Sequence, residues 1–288
     1  MAKIIMIQGT ASGVGKSILA TALCRIFTQD GLKTAPFKSQ NMTTVCHITD
    51  NGKKMARSQA IAAYACNIKP DPDMNPVLLK IGSNSTEVII CGNSMGIMSR
   101  QEFREYKNKA FDQILAAFHR LCQSNDIIVI EGAGSPVELN LYENDIVNMG
   151  LAKAVNAPVL LVSDIIRGGV FASLYGTMTL FGEEEKRLVK GIIINKFKGN
   201  PEYFKDGTGI IEKLCGVPVL GIIPFIDINI EDEDSLSENS IKTKDSLEKD
   251  FGINNYNNFM QTEFDRIAQH FRANLGMEKI FQILNEPI

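Results

Sequence analysis

The sequence predicts an α/β fold: a mostly parallel sheet with helices on both faces, followed by a C-terminal helical appendage. Three observations carry this. Short apolar runs alternate with helix-length amphipathic segments through most of the 288 residues. The runs are continuously apolar, as strands covered on both faces are. The first of them, Ile4-Ile5-Met6-Ile7, passes through a glycine-rich turn straight into a helical pattern.

Taken in order, strands are expected at residues 3–7, 34–37, 87–91, 127–130, 158–162, 189–194 and 218–223. Helices are expected at 16–30, 55–66, 100–124, 146–155, 168–180 and 201–214. The βαβα order runs through residues 1–226 and makes them one domain. Residues 227–257 begin acidic and polar with few apolar anchors, which suits a linker or mobile loop. A helical apolar pattern then returns through Phe264, Ile267, Phe271, Leu275, Ile280 and Leu284, so residues 258–288 form the appendage.

Composition removes several classes of function. A chain with 44% hydrophobic and 22% charged residues is an ordinary soluble globular protein. A net charge of -3 gives no basic field for nucleic acid. No apolar run approaches the roughly 20 residues that span a bilayer, and no leader pattern opens the sequence. Six cysteines without a Cys-x-x-Cys pair read as reduced, buried thiols. These points lead to a cytoplasmic protein with neither nucleic acid nor membrane as partner. His47, His119 and His270 show no metal-ligand spacing, and no cysteine sits in a nucleophile-elbow turn, so a Cys–His glutaminase within the chain is not expected.

The turn after the first strand is Gly9-Thr10-Ala11-Ser12-Gly13-Val14-Gly15-Lys16-Ser17, a phosphate-binding loop of the P-loop NTPase kind. In such a loop backbone N–H groups surround a polyphosphate, Lys16 meets the β- and γ-phosphates, and Ser17 ligates Mg²⁺. The spacing is a variant, because Thr10 stands where a glycine is common. Thr10, Ser12, Gly13, Val14, Gly15, Lys16 and Ser17 are therefore the expected ATP-binding residues.

Other candidates stand at strand ends, where an open α/β sheet places its ligands. Lys38 follows the second strand and can supply a second cation for a transferring phosphate. Glu131 ends the run Ile127-Ile128-Val129-Ile130 beside glycines, where a carboxylate reaches a metal unobstructed. Lys16, Lys38 and Glu131 are the catalytic candidates. Asp164 and Arg167 lie in the Asp-Ile-Ile-Arg-Gly-Gly turn, where Arg167 suits a carboxylate or phosphate. Asn195 follows Ile192-Ile193-Ile194, where an amide can read a purine edge; Lys198 replaces the aspartate of the guanine pattern, so adenine is favoured.

Several blocks together resemble one family. Gly9-Thr10-x-Ser12-x-x-Gly15-Lys16-Ser17, Ala35-Pro36-Phe37-Lys38-x-Gln40-Asn41-Met42, Asp73-Met74-Asn75-Pro76, Glu131-Gly132-Ala133-Gly134-Ser135-Pro136, Arg167-Gly168-Gly169-Val170-Phe171 and Ile194-Asn195-Lys196-Phe197 are similar to the synthetase domain of cobyric acid synthases, which belong with the dethiobiotin-synthetase-like amidoligases. The likeness runs from Met1 to about Leu236. It implies amidation of the peripheral carboxylates of adenosylcobyrinic acid a,c-diamide with ATP and Mg²⁺. It also implies that Gln40, Asn41 and Asn75 meet the corrinoid rim and Arg167 one of its carboxylates. Around the metal, Asp50 is expected to join Ser17 and Glu131, with Asp164 as the other candidate.

The family's usual class I glutaminase domain is not expected within these 288 residues, and residues 263–284 look like the helix that normally follows it. Ammonia is accordingly expected from solution or from a separate glutaminase subunit, and a second copy of the chain is a further candidate partner, as a homodimer. Lys54 stands where the family carries glutamate, and Ile166 where it carries aspartate. Those two changes leave open a regulatory ATP-binding paralogue without amidation. A ParA/MinD-like ATPase switch is a further alternative, against which Ala11 occupies the place of that family's signature lysine.

Overall fold

The computed structural model describes residues 2–82, 85–142, 145–231 and 242–286. Among them the first half runs β1 (Lys3–Gly9), α1 (Lys16–Gln29), β2 (Thr34–Phe37), β3 (Gln40–Thr43), β4 (Cys46–Ile48), β5 (Lys54–Ala56), α2 (Arg57–Ala65), β6 (Val77–Ile81), β7 (Thr86–Ile90), β8 (Asn93–Ile97), α3 (Arg100–Ser124) and β9 (Ile127–Glu131). The second half runs α4 (Met149–Ala154), β10 (Val159–Asp164), α5 (Val170–Leu180), α6 (Glu183–Leu188), β11 (Val189–Phe197), α7 (Lys205–Cys215), β12 (Val219–Pro224), α8 (Lys244–Phe251), α9 (Tyr256–Asn274) and α10 (Met277–Ile283).

Six strands form the expected parallel sheet in the order β12-β11-β10-β1-β9-β2. Alternate side chains of the apolar runs feed opposite faces, which is why the runs are continuously apolar. Ile5, Ile7, Val129, Leu160 and Val162 pack with α1, α9 and α10 on one face. Met6, Ile128, Ile130, Val159 and Leu161 pack with α3, α4 and α5 on the other. The carboxyl ends of β1, β2 and β9 then lie side by side, with Ile7 opposite Glu131 and Phe37 opposite Ile130.

A second sheet departs from the expectation. The run expected at 87–91 is β7, and it belongs to a four-stranded sheet of order β3-β6-β7-β8. Within that sheet β3 and β6 are parallel, and β6, β7 and β8 form antiparallel pairs. β4 and β5 make a separate antiparallel hairpin. This module sits between β2 and α3 in the sequence and carries Gln40, Asn41 and the start of α2.

The C-terminal segment also differs from its sequence pattern. Part of the expected linker is the helix α8, which Thr243 caps and Leu247 anchors; residues 232–241 lie outside the described residues. Helices α9 and α10 share the core of the main sheet, with Phe264, Ile267 and Phe271 each at most 1% exposed. Arg25 of α1 pairs with Asp265 at 2.7 Å, and Arg272 pairs with Asp30 at 2.8 Å. Gly221 in β12 admits the α9–α10 junction, since a Cβ there would lie 2.4 Å from the Asn274 carbonyl oxygen. Gly276 N–H donates to Leu220 O at 2.7 Å across the same approach.

Burying a large apolar side chain contributes roughly 1.5–3 kcal/mol, so these three residues alone bind the tail tightly. Phe264→Ala is expected to lower unfolding free energy by about 3–5 kcal/mol in a single cooperative urea transition. Tyr203→Ala, at a residue 88% exposed, is the control and should leave the midpoint unmoved. An unchanged midpoint for Phe264→Ala would mean that α9 is not part of the folding unit.

Candidate functional site

Between β1 and α1 the chain folds back on itself so closely that glycine is required at the strand end. A Cβ on Gly9 would stand 2.5 Å from Val14 Cγ2. Gly13 and Gly15 turn the loop through φ of 74° and 102°, in the left-handed region open to glycine. Thr10, in the place of the commoner glycine, shares a hydrogen bond of 2.9 Å with Ser163 Oγ at the end of β10. α1 opens at Lys16 with no acidic residue in its first turn, so its N-terminal partial charge is left to an anion. The Lys16 ammonium, 7% exposed, donates to Ala11 O at 2.9 Å and to Gly134 O at 2.8 Å, tying the loop to the turn after β9.

Glu131 is the meeting point of that turn. Its carboxylate is buried, and Oε1 accepts from Ser17 Oγ at 2.7 Å and from Lys38 Nζ at 2.9 Å. Gln59 Nε2 of α2 donates to Oε2 at 3.2 Å. Three chain segments remote in sequence, the loop, the end of β2 and α2, are thus joined on one carboxylate. All three catalytic candidates, Lys16, Lys38 and Glu131, face one cavity of about 620 Å³. Ser12, Gly13, Gly15 and Ser17 line it on the loop side, and Gln40 and Asn41 on the side of β3.

Other expected site residues stand elsewhere. Asn75 is 1% exposed and spends its amide on backbone: Nδ2 donates to Lys38 O and Val77 O, and Oδ1 accepts from Ala56 N. It braces the junction of the two sheets and is not on the cavity wall. Asp50 sits in the exposed β4–β5 turn, paired with Lys69 at 2.8 Å, and is not on the cavity wall beside Ser17 and Glu131. The Lys69 ammonium holds its carboxyl below the usual carboxylate range. Asp164 stands 3.9 Å from Lys196 Nζ. Arg167 is exposed in the turn before α5, away from the cavity lining.

Asn195 lies behind the loop rather than on the cavity. Its Nδ2 donates to Val14 O at 2.8 Å and its Oδ1 accepts from Lys196 N at 2.9 Å, so the amide that was expected to read a base supports the phosphate loop. Val14 is likewise buried and serves packing. The two family departures also lie off the cavity. Lys54 pairs with Glu87 at 2.7 Å between β5 and β7, which lowers the Glu87 pKa and raises that of Lys54, and Ile166 is surface-exposed. Among the cysteines only Cys24 and Cys66 are buried; the other four are partly exposed, and all six are free thiols.

The structure adds wall residues to which the sequence assigned no role, among them Lys196 of the Ile194-Asn195-Lys196-Phe197 block. Lys196 reaches the cavity, donates to Gly13 O and holds a φ of 59°, a left-handed backbone that a non-glycine residue adopts at a cost. Ser58 and Ile61 of α2 line the far side, together with Ile228, Ile230 and Glu231 from the segment after β12. Glu231 is fastened by Arg57 at 2.9 Å and by the Tyr256 hydroxyl at 2.8 Å. Burial, with the Glu231 carboxylate next in effect, pushes the Tyr256 phenol well above its ordinary pKa.

The family model of the CobQ/CobB/MinD/ParA nucleotide binding domain matches residues 5–236, which include every one of these cavity residues. The chain belongs to that family. It is similar to the cobyric acid synthase of Ruminiclostridium cellulolyticum, 54% identical over 239 residues that make up 83% of this chain and 46% of that protein. It is also similar to that of Salmonella gallinarum, 50% identical over 254 residues, 88% of this chain and 50% of that protein. The chain spans about half the length of the curated relatives it matches. Among solved structures, the signal recognition particle receptor FtsY of Elizabethkingia anophelis in complex with GDP aligns with a TM-score of 0.45 and 20% identity, over 77% of this chain and 57% of that one.

For a member of this nucleotide-binding family, the loop and its flanking turn have a donor set that fits a nucleotide with a hydrated divalent ion. Among the described residues no group of three His, Cys, Asp or Glu side chains is arranged to hold a metal ion. Mg²⁺ keeps several waters and takes one or two protein oxygens, a demand that Ser17 Oγ and Glu131 Oε1, 2.7 Å apart, can meet. Gln40 Oε1 is buried on the wall without a hydrogen-bond partner, an acceptor suited to a ligand or metal-bound water. Among the described residues no helix is long and apolar enough to cross a membrane.

Gly15→Ala should weaken nucleotide binding at least about tenfold, the equivalent of about 1.4 kcal/mol. The added Cβ would lie 2.1 Å from Asn195 Nδ2 as well as straining a φ of 102°. Gly13→Ala carries backbone strain alone, because its Cβ meets nothing within 4 Å. Isothermal titration with ADP should rank the two losses in that order, and equal affinities for Gly15→Ala and the wild type would overturn this reading of the loop.

Proposed function

We propose that the chain is an ATP-dependent amidating unit of the cobyric acid synthase type, acting on peripheral carboxylates of adenosylcobyrinic acid a,c-diamide. The observation that carries the reading is the convergence of Lys16, Lys38 and Ser17 with Glu131 at the mouth of a phosphate-binding loop. A nucleotide-binding protein without chemistry needs the loop; it does not need a second buried lysine, Lys38, held on the same carboxylate. Sequence identity of 54% to a cobyric acid synthase adds the substrate class.

A carboxylate is a poor electrophile, so amidation requires an activated leaving group. In the proposed reaction a substrate carboxylate oxygen attacks the γ-phosphorus of ATP, the bond to the bridging oxygen breaks, and ADP departs. Ammonia then attacks the carbonyl carbon of the acyl phosphate, phosphate leaves with the bonding electrons, and the nitrogen loses a proton to give the amide. Lys16 and Lys38 neutralise charge on the transferring group and hold it in line, a role worth several orders of magnitude in phosphoryl transfer. Ser17 and Glu131 would hold Mg²⁺, which supplies further charge neutralisation. Gln40 and Asn41 face the same cavity from the opposite wall and suit the amide-rich rim of the substrate. Each amidation consumes one ammonia and one ATP.

Lys54 and Ile166 lie off the cavity, so neither change removes a group from it, and this favours amidation over a paralogue without chemistry. The test is to incubate the chain with Mg·ATP, ammonium and the a,c-diamide, following ADP release and the mass shift of carboxylate-to-amide exchange. Corrinoid-dependent ADP release matched by amide formation is expected, and Lys38→Met should lower the rate by at least about 10³-fold with the nucleotide still bound. Absence of corrinoid-dependent ADP at high ammonium would refute the proposal.

A further inference from the structure

Glu131 is held on both oxygens, by groups with different prospects. Ser17 and Lys38 both donate to Oε1, and both are the groups that the proposed function draws to metal and phosphate. Gln59 donates to Oε2. It is 1% exposed on α2, two residues past the Arg57 that fastens Glu231. Its own Oε1 is buried with no hydrogen-bond partner.

We propose that Gln59 is a positioning residue for the divalent ion. Through Nε2 it fixes Glu131 Oε2, and so the direction in which Oε1 points once Ser17 and Lys38 turn to their ligands. A carboxamide suits this task, because its N–H donates to the carboxylate without adding a charge. A carboxylate in its place would repel Glu131, and a hydrocarbon would leave Oε2 without this donor. Partners that orient a ligating carboxylate are worth about 10- to 100-fold in metal affinity.

The inference rests on the nucleotide and metal reading of the proposed function, and the test separates the two. Mn²⁺ binding to the protein–ADP complex is measured by electron paramagnetic resonance, alongside ADP affinity in EDTA and the thermal midpoint. Gln59→Met, close in length and apolar, should weaken Mn²⁺ about 10- to 100-fold while metal-free ADP affinity stays at the wild-type value. Gln59→Asn keeps the carboxamide but withdraws it by one methylene, and should show the same split if the methionine variant does not fold. Mn²⁺ affinity equal to wild type in either folded variant overturns the proposal. So does a parallel fall of Mn²⁺ and metal-free ADP affinity, the mark of a merely structural role. Failure of the wild-type protein to bind Mn²⁺ with ADP would instead remove the metal reading itself.

Discussion

A carboxylate buried at the end of a central strand stays charged only if the fold brings donors to it, and Glu131 sets that demand here. Taking an ion out of water costs several kcal/mol, recovered only through close opposite charge and hydrogen bonds. Glu131 obtains these from Ser17, Lys38 and Gln59, which lie 114, 93 and 72 residues away in the sequence. The loop-first helix, the end of β2 and the start of α2 are thereby held in one arrangement. The parallel order β1-β9-β2 is what makes it reachable, because it sets three strand ends side by side.

The cavity's other wall depends on the C-terminal helices. The segment after β12 is fastened from several directions: Asn229 N–H donates to Glu263 at 2.7 Å, and Glu231 is held by Tyr256 and Arg57. Burial pushes the Glu263 carboxyl up, but the hydrogen bonds from Arg266, within α9, and from Asn229 N–H, with the charges of Arg266 and Lys242, together leave its pKa lowered. Thus the packing of Phe264, Ile267 and Phe271 against α1 does more than cover a sheet face. It fixes Ile228, Ile230 and Glu231 opposite the phosphate loop, which links core stability to the shape of the site.

Much of this was legible in the sequence where one physical signal dominates. Five of the six main strands are largely buried on both faces and β12 is partly so, and apolar runs mark them. α3 begins and ends at the expected residues, 100 and 124, because Ser99 and Glu102 form a capping box ahead of a long amphipathic pattern. The loop was visible because its glycines are backbone requirements. The second sheet was hidden because β3 reads Gln-Asn-Met-Thr and β8 is exposed along its whole length, so neither carries an apolar run. α8 was hidden in acidic text with Leu247 as its one buried residue. Among site residues, Asn75 and Asn195 were misplaced for one reason: an amide that satisfies backbone groups and an amide that reads a ligand look alike in sequence. Asp50 looked like a metal ligand until the hairpin turned it toward Lys69.

The central physical claim is that Glu131 and Lys38 are mutually dependent at the mouth of the loop. A double-mutant cycle of Lys38→Met and Glu131→Gln, measured by urea unfolding of the full chain, tests it most directly. Removing one member of a buried pair costs about 3–5 kcal/mol, whereas replacing both leaves no uncompensated charge. The account predicts a double variant more stable than the sum of the single losses implies, with a coupling energy of at least about 2 kcal/mol. Additive losses would contradict it, because they would mean that the two groups do not depend on each other.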